Sequence, residues 1–379
     1  MLHRRFAARS VRSCRWYHAT RPQLGFFSVF RSEPSEIIDD PDDVSPYIRM
    51  PVISKDQLNQ IPHDKYKFEF AYSSFGYHSQ SSVPMIHSLS DLSDPTQLTT
   101  LLPRRRPHGS PADTLSIKAG DDAMLVSPSV LAIADGVSGW DDDSSKQGDS
   151  GTWSRSMLET LSRLMTEYKI NHAPHPIKRR DIDQILDDSF LHTSHLMDLQ
   201  NLKGSSTLIL AIITGDALQM ISIGDSRLFV FRNGEVLVSN EEQMVSPLCP
   251  QQIGTQTLSQ LPSDMAWVSS VPLEENDIIF LCSDGISDNL YVHEIIEYLD
   301  EFLNVKKDDL KRVASRFIIK AKEVAFDDFA YTPYNEKVNS LPSELASSTP
   351  SQGGKLDDMS LCIARVVPFD KPKAGPTKS

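Results

Sequence analysis

The sequence predicts an α+β layered sandwich, and three observations carry that reading. Apolar runs of strand length come in blocks, and so do stretches with helical spacing, instead of alternating strictly one for one. Asn233-Gly234 lies between two short β runs, a strong hairpin signal. Several of the strands begin or end at an aspartate in small-residue surroundings. With 379 residues, 39% apolar and 23% charged, the chain is long enough for one large domain with extensions or two ordinary ones.

The elements follow in order. Phe68 to Tyr72 alternates as a first strand, and Ser79 to Asp113, rich in Ser, Pro and Leu without a period, reads as a long loop. Ala123 to Ser127 and Val130 to Ala134 pair about a Pro128 turn. Met157, Leu158, Leu161, Leu164 and Met165 place a helix over Ser156 to Ile170, and a second helix runs from Ile182 to Leu202. Thr207 to Ile213, Leu218 to Ile223, Leu228 to Phe231 and Val236 to Ser239 are short β runs. Ile278 to Cys282 is a continuous apolar strand, followed by helices at Val292 to Leu303 and Leu310 to Val324. Tyr331 to Gly354 is a Ser/Pro-rich loop, and Met359 to Val367 closes the chain as a strand.

Charge divides the chain unevenly. Residues 1–32 hold seven arginines (Arg4, Arg5, Arg9, Arg12, Arg15, Arg21, Arg31) and no acid, whereas the whole chain has a net charge of −13. Without those seven, 31 bases face 51 acids, so the remainder carries −20. That balance excludes sequence-independent nucleic-acid binding as a main role, since it depends on cations displacing counterions from phosphates. An Arg-rich, acid-free leader reads as a mitochondrial transit peptide, and Arg15-Trp16-Tyr17-His18-Ala19 resembles a matrix-protease site with cleavage after Tyr17. Residues 33–63 are acidic and proline-bearing, with too few apolar side chains to offset the entropy of ordering, and read as a linker. Residues 370–379 read as a disordered tail. No run approaches the roughly 18–20 apolar residues of a membrane span. Cys14, Cys249, Cys282 and Cys362 have no paired spacing, so neither a disulfide framework nor a zinc site is expected.

The chemistry lies in Gly120-Asp121-Asp122, Ala134-Asp135-Gly136, Gly224-Asp225-Ser226-Arg227, Ser283-Asp284-Gly285 and Leu356-Asp357-Asp358. One Asp-Gly alone is an ordinary turn. As a set, aspartates beside runs that look buried would repel one another unless a cation held them. An all-oxygen ligand set, with no histidine or cysteine near, selects magnesium or manganese over zinc or copper. Two such ions about 3.5–4 Å apart can clamp a phosphoryl group for in-line displacement, so the implied reaction is phosphoester hydrolysis.

These strings, together with Gly204-Ser205-Ser206-Thr207, Val137-Ser138-Gly139-Trp140 and Gly353-Gly354-Lys355, come in an order that resembles the metal-dependent protein phosphatase 2C family over about Phe68 to Val367. The resemblance is greatest to its mitochondrial branch, which also has a segment similar to Cys249-Pro250-Gln251-Gln252-Ile253. It implies a four-layer α-β-β-α sandwich over residues 64–369, two antiparallel sheets flanked by helices, with the metal site at the edge between the sheets. It also implies two Mn²⁺ or Mg²⁺ ions. Asp135 would bridge both, with the Gly136 carbonyl on the second; Asp284 and Asp357 would complete the first; Asp121 would serve the second; Asp122 would orient metal-bound water. Asp225 matches a position tied in some members to a third, weaker ion. Thr207 and Arg227 are expected to support the sheet and hold loops. The implied substrates are phosphoserine and phosphothreonine proteins in the mitochondrial matrix, attacked by metal-bound hydroxide.

The chain departs from the family in three places. Many members have a phosphate-gripping arginine where Ile117 stands; Lys118 is one residue along, but on a strand it would face the other way. Val137 stands where some members have a histidine thought to act as general acid. Ser138 replaces the branch's usual glycine, which would strain the turn if it needs positive φ. The basic triplets Arg104-Arg105-Arg106 and Lys178-Arg179-Arg180 read as solvated loop charge, and His192 with His195 as surface. Two other readings stay open: an inactive pseudophosphatase kept as a binding adaptor, and a small-molecule phosphohydrolase on another two-metal scaffold.

Overall fold

The computed structural model describes residues 63–78, 83–89, 114–138, 146–172, 175–342 and 352–369. The leader at 1–32, nearly all of the linker, the Arg104-Arg105-Arg106 triplet, Gly139, Trp140 and the tail at 370–379 lie outside the described residues.

Among the described residues twelve strands build two antiparallel sheets. In chain order they are β1 (Tyr66–Phe75), β2 (Met85–Ser88), β3 (Leu115–Ala119), β4 (Asp122–Val126), β5 (Val130–Ala134), β6 (Leu208–Thr214), β7 (Ala217–Ile223), β8 (Arg227–Arg232), β9 (Glu235–Ser239), β10 (Trp267–Pro272), β11 (Ile278–Cys282) and β12 (Met359–Pro368). One sheet has the order β1-β12-β11-β8-β9 and the other β10-β7-β6-β5-β4-β3-β2. The β8–β9 hairpin turns at Asn233 (φ 54°) and Gly234 (φ 84°), the two positive φ values that a tight turn of this kind needs.

Alternation along the central strands makes the layers. Leu131 and Ile133 of β5, with Ile209, Ala211 and Ile213 of β6, face Leu228, Val230, Ile279, Leu281, Cys362 and Ala364 across the space between the sheets. Their neighbours Val130, Ala132, Ala134, Leu208, Leu210 and Ile212 face the helices α1 (Ser150–His172) and α2 (Arg179–Leu199). The outer face of the five-stranded sheet packs Phe229, Phe280, Leu361 and Ile363 against α3 (Val292–Asp300) and α4 (Leu310–Ala325). The result is the four-layer α-β-β-α sandwich. Each large apolar side chain buried in it contributes about 1.5–3 kcal/mol.

The departures from the sequence reading have local causes. β2 lies inside the expected loop because Met85–Ser88 pairs with β3 as a short edge strand, too short to show a period. Helix α1 starts six residues before Ser156, since Asp149 caps it: Oδ1 accepts from Thr152 N and Oδ2 from Thr152 Oγ1, both at 2.7 Å. The expected loop at Tyr331 to Gly354 holds α5 (Pro333–Asn339), opened by Thr332 as cap, Pro333 and a reciprocal bond with Asn335. Ser138 is not among the residues with positive φ, so the serine sits there without that strain. Cys249, Cys282 and Cys362 are free thiols. Among the described residues no helix is long and apolar enough to cross a membrane.

His192 is half-buried on α2, contrary to the surface expectation, and burial followed by neighbouring His195 lowers its imidazole to about 4. A histidine whose folded pKa lies below its unfolded value of about 6.5 gives stability that is present above pH 6.5 and lost as pH falls through 4. Between pH 7 and pH 4 the native protein is therefore expected to lose roughly 2 kcal/mol that His192→Gln keeps, after discounting for partial exposure. Urea midpoints at the two pH values measure this; parallel losses in both proteins would overturn it.

Candidate metal centre

Five strand ends bring the carboxylates to one edge between the sheets. Asp135 follows the last residue of β5, Asp122 opens the antiparallel neighbour β4, Asp225 follows β7, Asp284 follows β11 by one serine, and Asp357 stands just before β12. Asp122 and Asp225 are buried, at 1% and 5% exposed, and Asp135 and Asp284 are half-buried beside them. Asp284 N lies 3.4 Å from Asp135 Oδ2.

Gathering like charges out of water shifts Asp135, Asp122, Asp225 and Asp284 upward. Burial first, then Asp284, Asp122, Asp357 and Asp225, pushes the Asp135 carboxyl well above the usual carboxylate range. Burial and then Asp358 do the same to Asp122, and burial with Asp284 raises Asp225 to about 8. Three of these oxygens, Asp122 Oδ2, Asp225 Oδ1 and Asp284 Oδ1, are buried without a hydrogen-bond partner. A buried acceptor left unsatisfied is costly, and a cation is the partner an anionic cluster lacks. The donor set is oxygen alone, which suits hard divalent ions. Among the described residues no three such ligands close on one point as they stand. Three carboxylates do meet at the Lys355 ammonium.

Supporting contacts hold these side chains. Asp135 N donates to Thr207 Oγ1 at 3.3 Å, Thr207 N donates to the Asp135 carbonyl at 2.9 Å, and Thr207 Oγ1 lies 3.0 Å from Ser226 Oγ, in line with a supporting role. Arg227 Nη1 donates to Glu242 Oε1 at 3.1 Å and so ties down a loop. Gly136 must be glycine because a Cβ there would lie 2.4 Å from the Asp121 carbonyl oxygen, so its backbone reaches the Asp121 turn.

Several residues of the centre have no role in the sequence reading. Asp358, 3% exposed, accepts from Tyr77 N at 2.6 Å and His78 N at 3.0 Å through Oδ1, and from Asp121 N at 2.8 Å through Oδ2. It pins two loops beside the carboxylates. Asp288, one helical turn after Asp284, accepts from Lys337 Nζ at 2.8 Å and Lys355 Nζ at 2.9 Å. Burial opposes its charge, but the two ammonium groups hold its carboxyl below the ordinary range. The i, i+4 spacing of Asp284 and Asp288 was the signal available.

Ile117, at the position where many family members have the phosphate-gripping arginine, is fully buried between the sheets. Lys118 points to the opposite face, as alternation requires. A Cβ on Gly151 would lie 2.6 Å from Lys118 Nζ and 3.0 Å from Asp121 Oδ1, so ammonium and carboxylate both lean over the first turn of α1. The Lys178-Arg179-Arg180 segment opens α2, with Arg179 paired to Asp183.

The protein phosphatase 2C family profile matches residues 118–314. Relatives include "Probable protein phosphatase 2C 1" of Oryza sativa, 31% identical over 69% of this chain and 73% of that one. Another is "Protein phosphatase PTC7 homolog" of Homo sapiens, 28% identical over 66% and 80%. The crystal structure of the photosystem II phosphatase PBCP superposes with a TM-score of 0.53 at 27% identity, covering 66% of this chain and 93% of that one. A profile matching more than half of the chain, a relative above 30% identity and the shared sandwich agree: the chain belongs to the protein phosphatase 2C family of metal-dependent enzymes and is a protein serine/threonine phosphatase.

Proposed function

We propose that this phosphatase acts on phosphoserine and phosphothreonine proteins in the mitochondrial matrix with two divalent ions, Mn²⁺ or Mg²⁺. The carrying observation is the trio of buried, unpartnered oxygens on Asp122, Asp225 and Asp284, which come from three different strand ends and whose charges all act on Asp135. Asp135 would bridge the two ions, Asp284 and Asp357 would complete one, and Asp121 with the Gly136 carbonyl would hold the other. When bound, the ions would supply a nucleophile from water at neutral pH and neutralise charge on the phosphoryl oxygens.

The chain's own residues supply the rest. Asp122, buried beside Asp358, Ser283 and Ser360, would orient water as a fixed acceptor. Thr207 fixes the Asp135 backbone through the two bonds described above. Lys118, leaning past Asp121, offers the cationic group for substrate phosphate that Ile117 cannot. The Arg-rich leader at residues 1–32 and the resemblance to the mitochondrial branch support the location. Import of the full chain into isolated mitochondria, with shortening near Tyr17, tests it.

The activity is tested with the full chain on a phosphothreonine peptide. Turnover is expected with Mn²⁺ or Mg²⁺ and is expected to vanish with chelator. Lys118→Ala is expected to raise KM about 10-fold, by removing one charge-assisted contact of about 1.5 kcal/mol. Turnover that survives chelation would sink the two-ion reading, and an unchanged KM would remove Lys118 from the phosphate site.

A further inference from the structure

Lys355 stands two residues before Asp357, and carboxylates surround its ammonium on three sides. Nζ donates to Asp288 Oδ2 at 2.9 Å, lies 3.1 Å from Asp357 Oδ2 and bonds Asp284 Oδ2. Its side chain is 20% exposed. The backbone is clamped where the side chain departs: Lys355 N donates to Asn289 Oδ1 and Asn289 Nδ2 donates to the Lys355 carbonyl, both at 2.9 Å. The Tyr334 ring lies beneath the ammonium, 5.5 Å from it. From α5, Lys337 Nζ takes the other oxygen of Asp288 and reaches Glu242 Oε2 at 2.9 Å.

The centre therefore has two sides. On the outer side Lys355 takes Asp284 Oδ2, Asp288 Oδ2 and Asp357 Oδ2. On the inner side Asp284 Oδ1, Asp225 Oδ1 and Asp122 Oδ2 are buried with no partner. Asp284 spans the divide, with Oδ2 on the ammonium and Oδ1 free of any bond.

We propose that Lys355 is a resident cation of the centre: its ammonium fills the outer position among Asp284, Asp288 and Asp357, so the protein takes divalent ions on the inner side and no third ion on the outer. The inference rests on the two-ion reading above. A tethered ammonium competes with free ions at an effective concentration in the millimolar range or higher. It also supplies three donors at once, one for each carboxylate. A weakly held ion would have to strip its own water to displace a group that is already in place.

The test counts manganese on the full chain by calorimetric titration and by electron paramagnetic resonance of free Mn²⁺, and follows thermal unfolding in chelator. The wild type is expected to bind two ions. Lys355→Met is expected to bind three and to melt lower than the wild type in chelator, with the deficit removed by Mn²⁺. Lys355→Arg is expected to return the count to two. Three ions on the wild type, or two on Lys355→Met with unchanged melting, would overturn the role of Lys355. If Lys355→Met does not fold in either medium, the wild-type count decides alone. A wild type that binds no manganese would overturn the two-ion reading itself, and this inference with it.

Discussion

Asp135→Asn is expected to lower kcat on a phosphothreonine peptide by on the order of 10³-fold or more, while raising the melting temperature of the metal-free protein. The two effects have opposite signs because the same charge acts in both. With ions bound, the Asp135 carboxylate is the proposed bridge, and no neutral amide replaces it. Without them it is a buried anion facing Asp284, Asp122, Asp357 and Asp225. A carboxyl held above its unfolded value favours the protonated folded form, so the metal-free protein loses stability as pH rises from the usual carboxylate range through the raised values, up to about 8 for Asp225. Asparagine removes one charge from that set, and stabilisation of about 1–3 kcal/mol is expected near pH 8. Asp284→Asn supplies the contrast. It is expected to abolish turnover as well, but without the same stabilisation, because Asp284 already has Lys355 as a partner. Activity assays with Mn²⁺ and melting curves in chelator measure both; a metal-free Asp135→Asn that melts below the wild type would overturn the electrostatic account.

Gly120→Ala is expected to cost about 3–5 kcal/mol and to take the metal-dependent activity with it. Two independent demands meet at this residue. Its φ is +66°, a conformation that costs a side-chain-bearing residue about 1–2 kcal/mol. A Cβ there would also lie 2.1–2.3 Å from the Asp358 carboxylate. That carboxylate cannot step aside freely, since it accepts from Asp121 N, Tyr77 N and His78 N. Moving it releases the Asp121 turn and the loop at Tyr77 together. Asp358→Asn is the milder companion, because it keeps the shape and loses only charge-assisted strength. Urea unfolding and manganese binding measured side by side separate the two losses. Wild-type stability in Gly120→Ala would show that the turn relaxes into another conformation.

Much of this architecture could be read from the chain because its signals are local. Continuous apolar runs such as Leu208 to Ile213 mark strands buried on both faces, and the aspartates at the ends of β5, β7 and β11 stand next to such runs in the sequence. What escaped reading depends on pairing between distant segments. Asp357 and Asp358 are adjacent and chemically equal, and only the fold shows that the second is occupied by three backbone N–H groups. Lys355 carries no role that the sequence alone assigns, because the carboxylates that surround it include Asp284 and Asp288, some seventy residues away. The strand at Met85–Ser88 is defined by its partner β3 rather than by any pattern of its own. His192 misled for a related reason: its half-buried position is set by how α2 packs, which polar spacing along one helix does not reveal.

The pairing of β1 with β12 also sets the order in which the enzyme can become one. Ten residues at Tyr66–Phe75 find their partners only at Met359–Pro368, so a strand made early must wait for a partner made far later. Contacts of such sequence separation slow folding and leave sheet edges unpaired in the meantime. The segment just ahead of β12 also carries Lys355, Asp357 and Asp358. A chain still emerging from a ribosome or a translocation pore therefore lacks both the closing strand and the charges that complete the centre, and a truncation before Met359 should yield neither a finished sheet nor a working phosphatase.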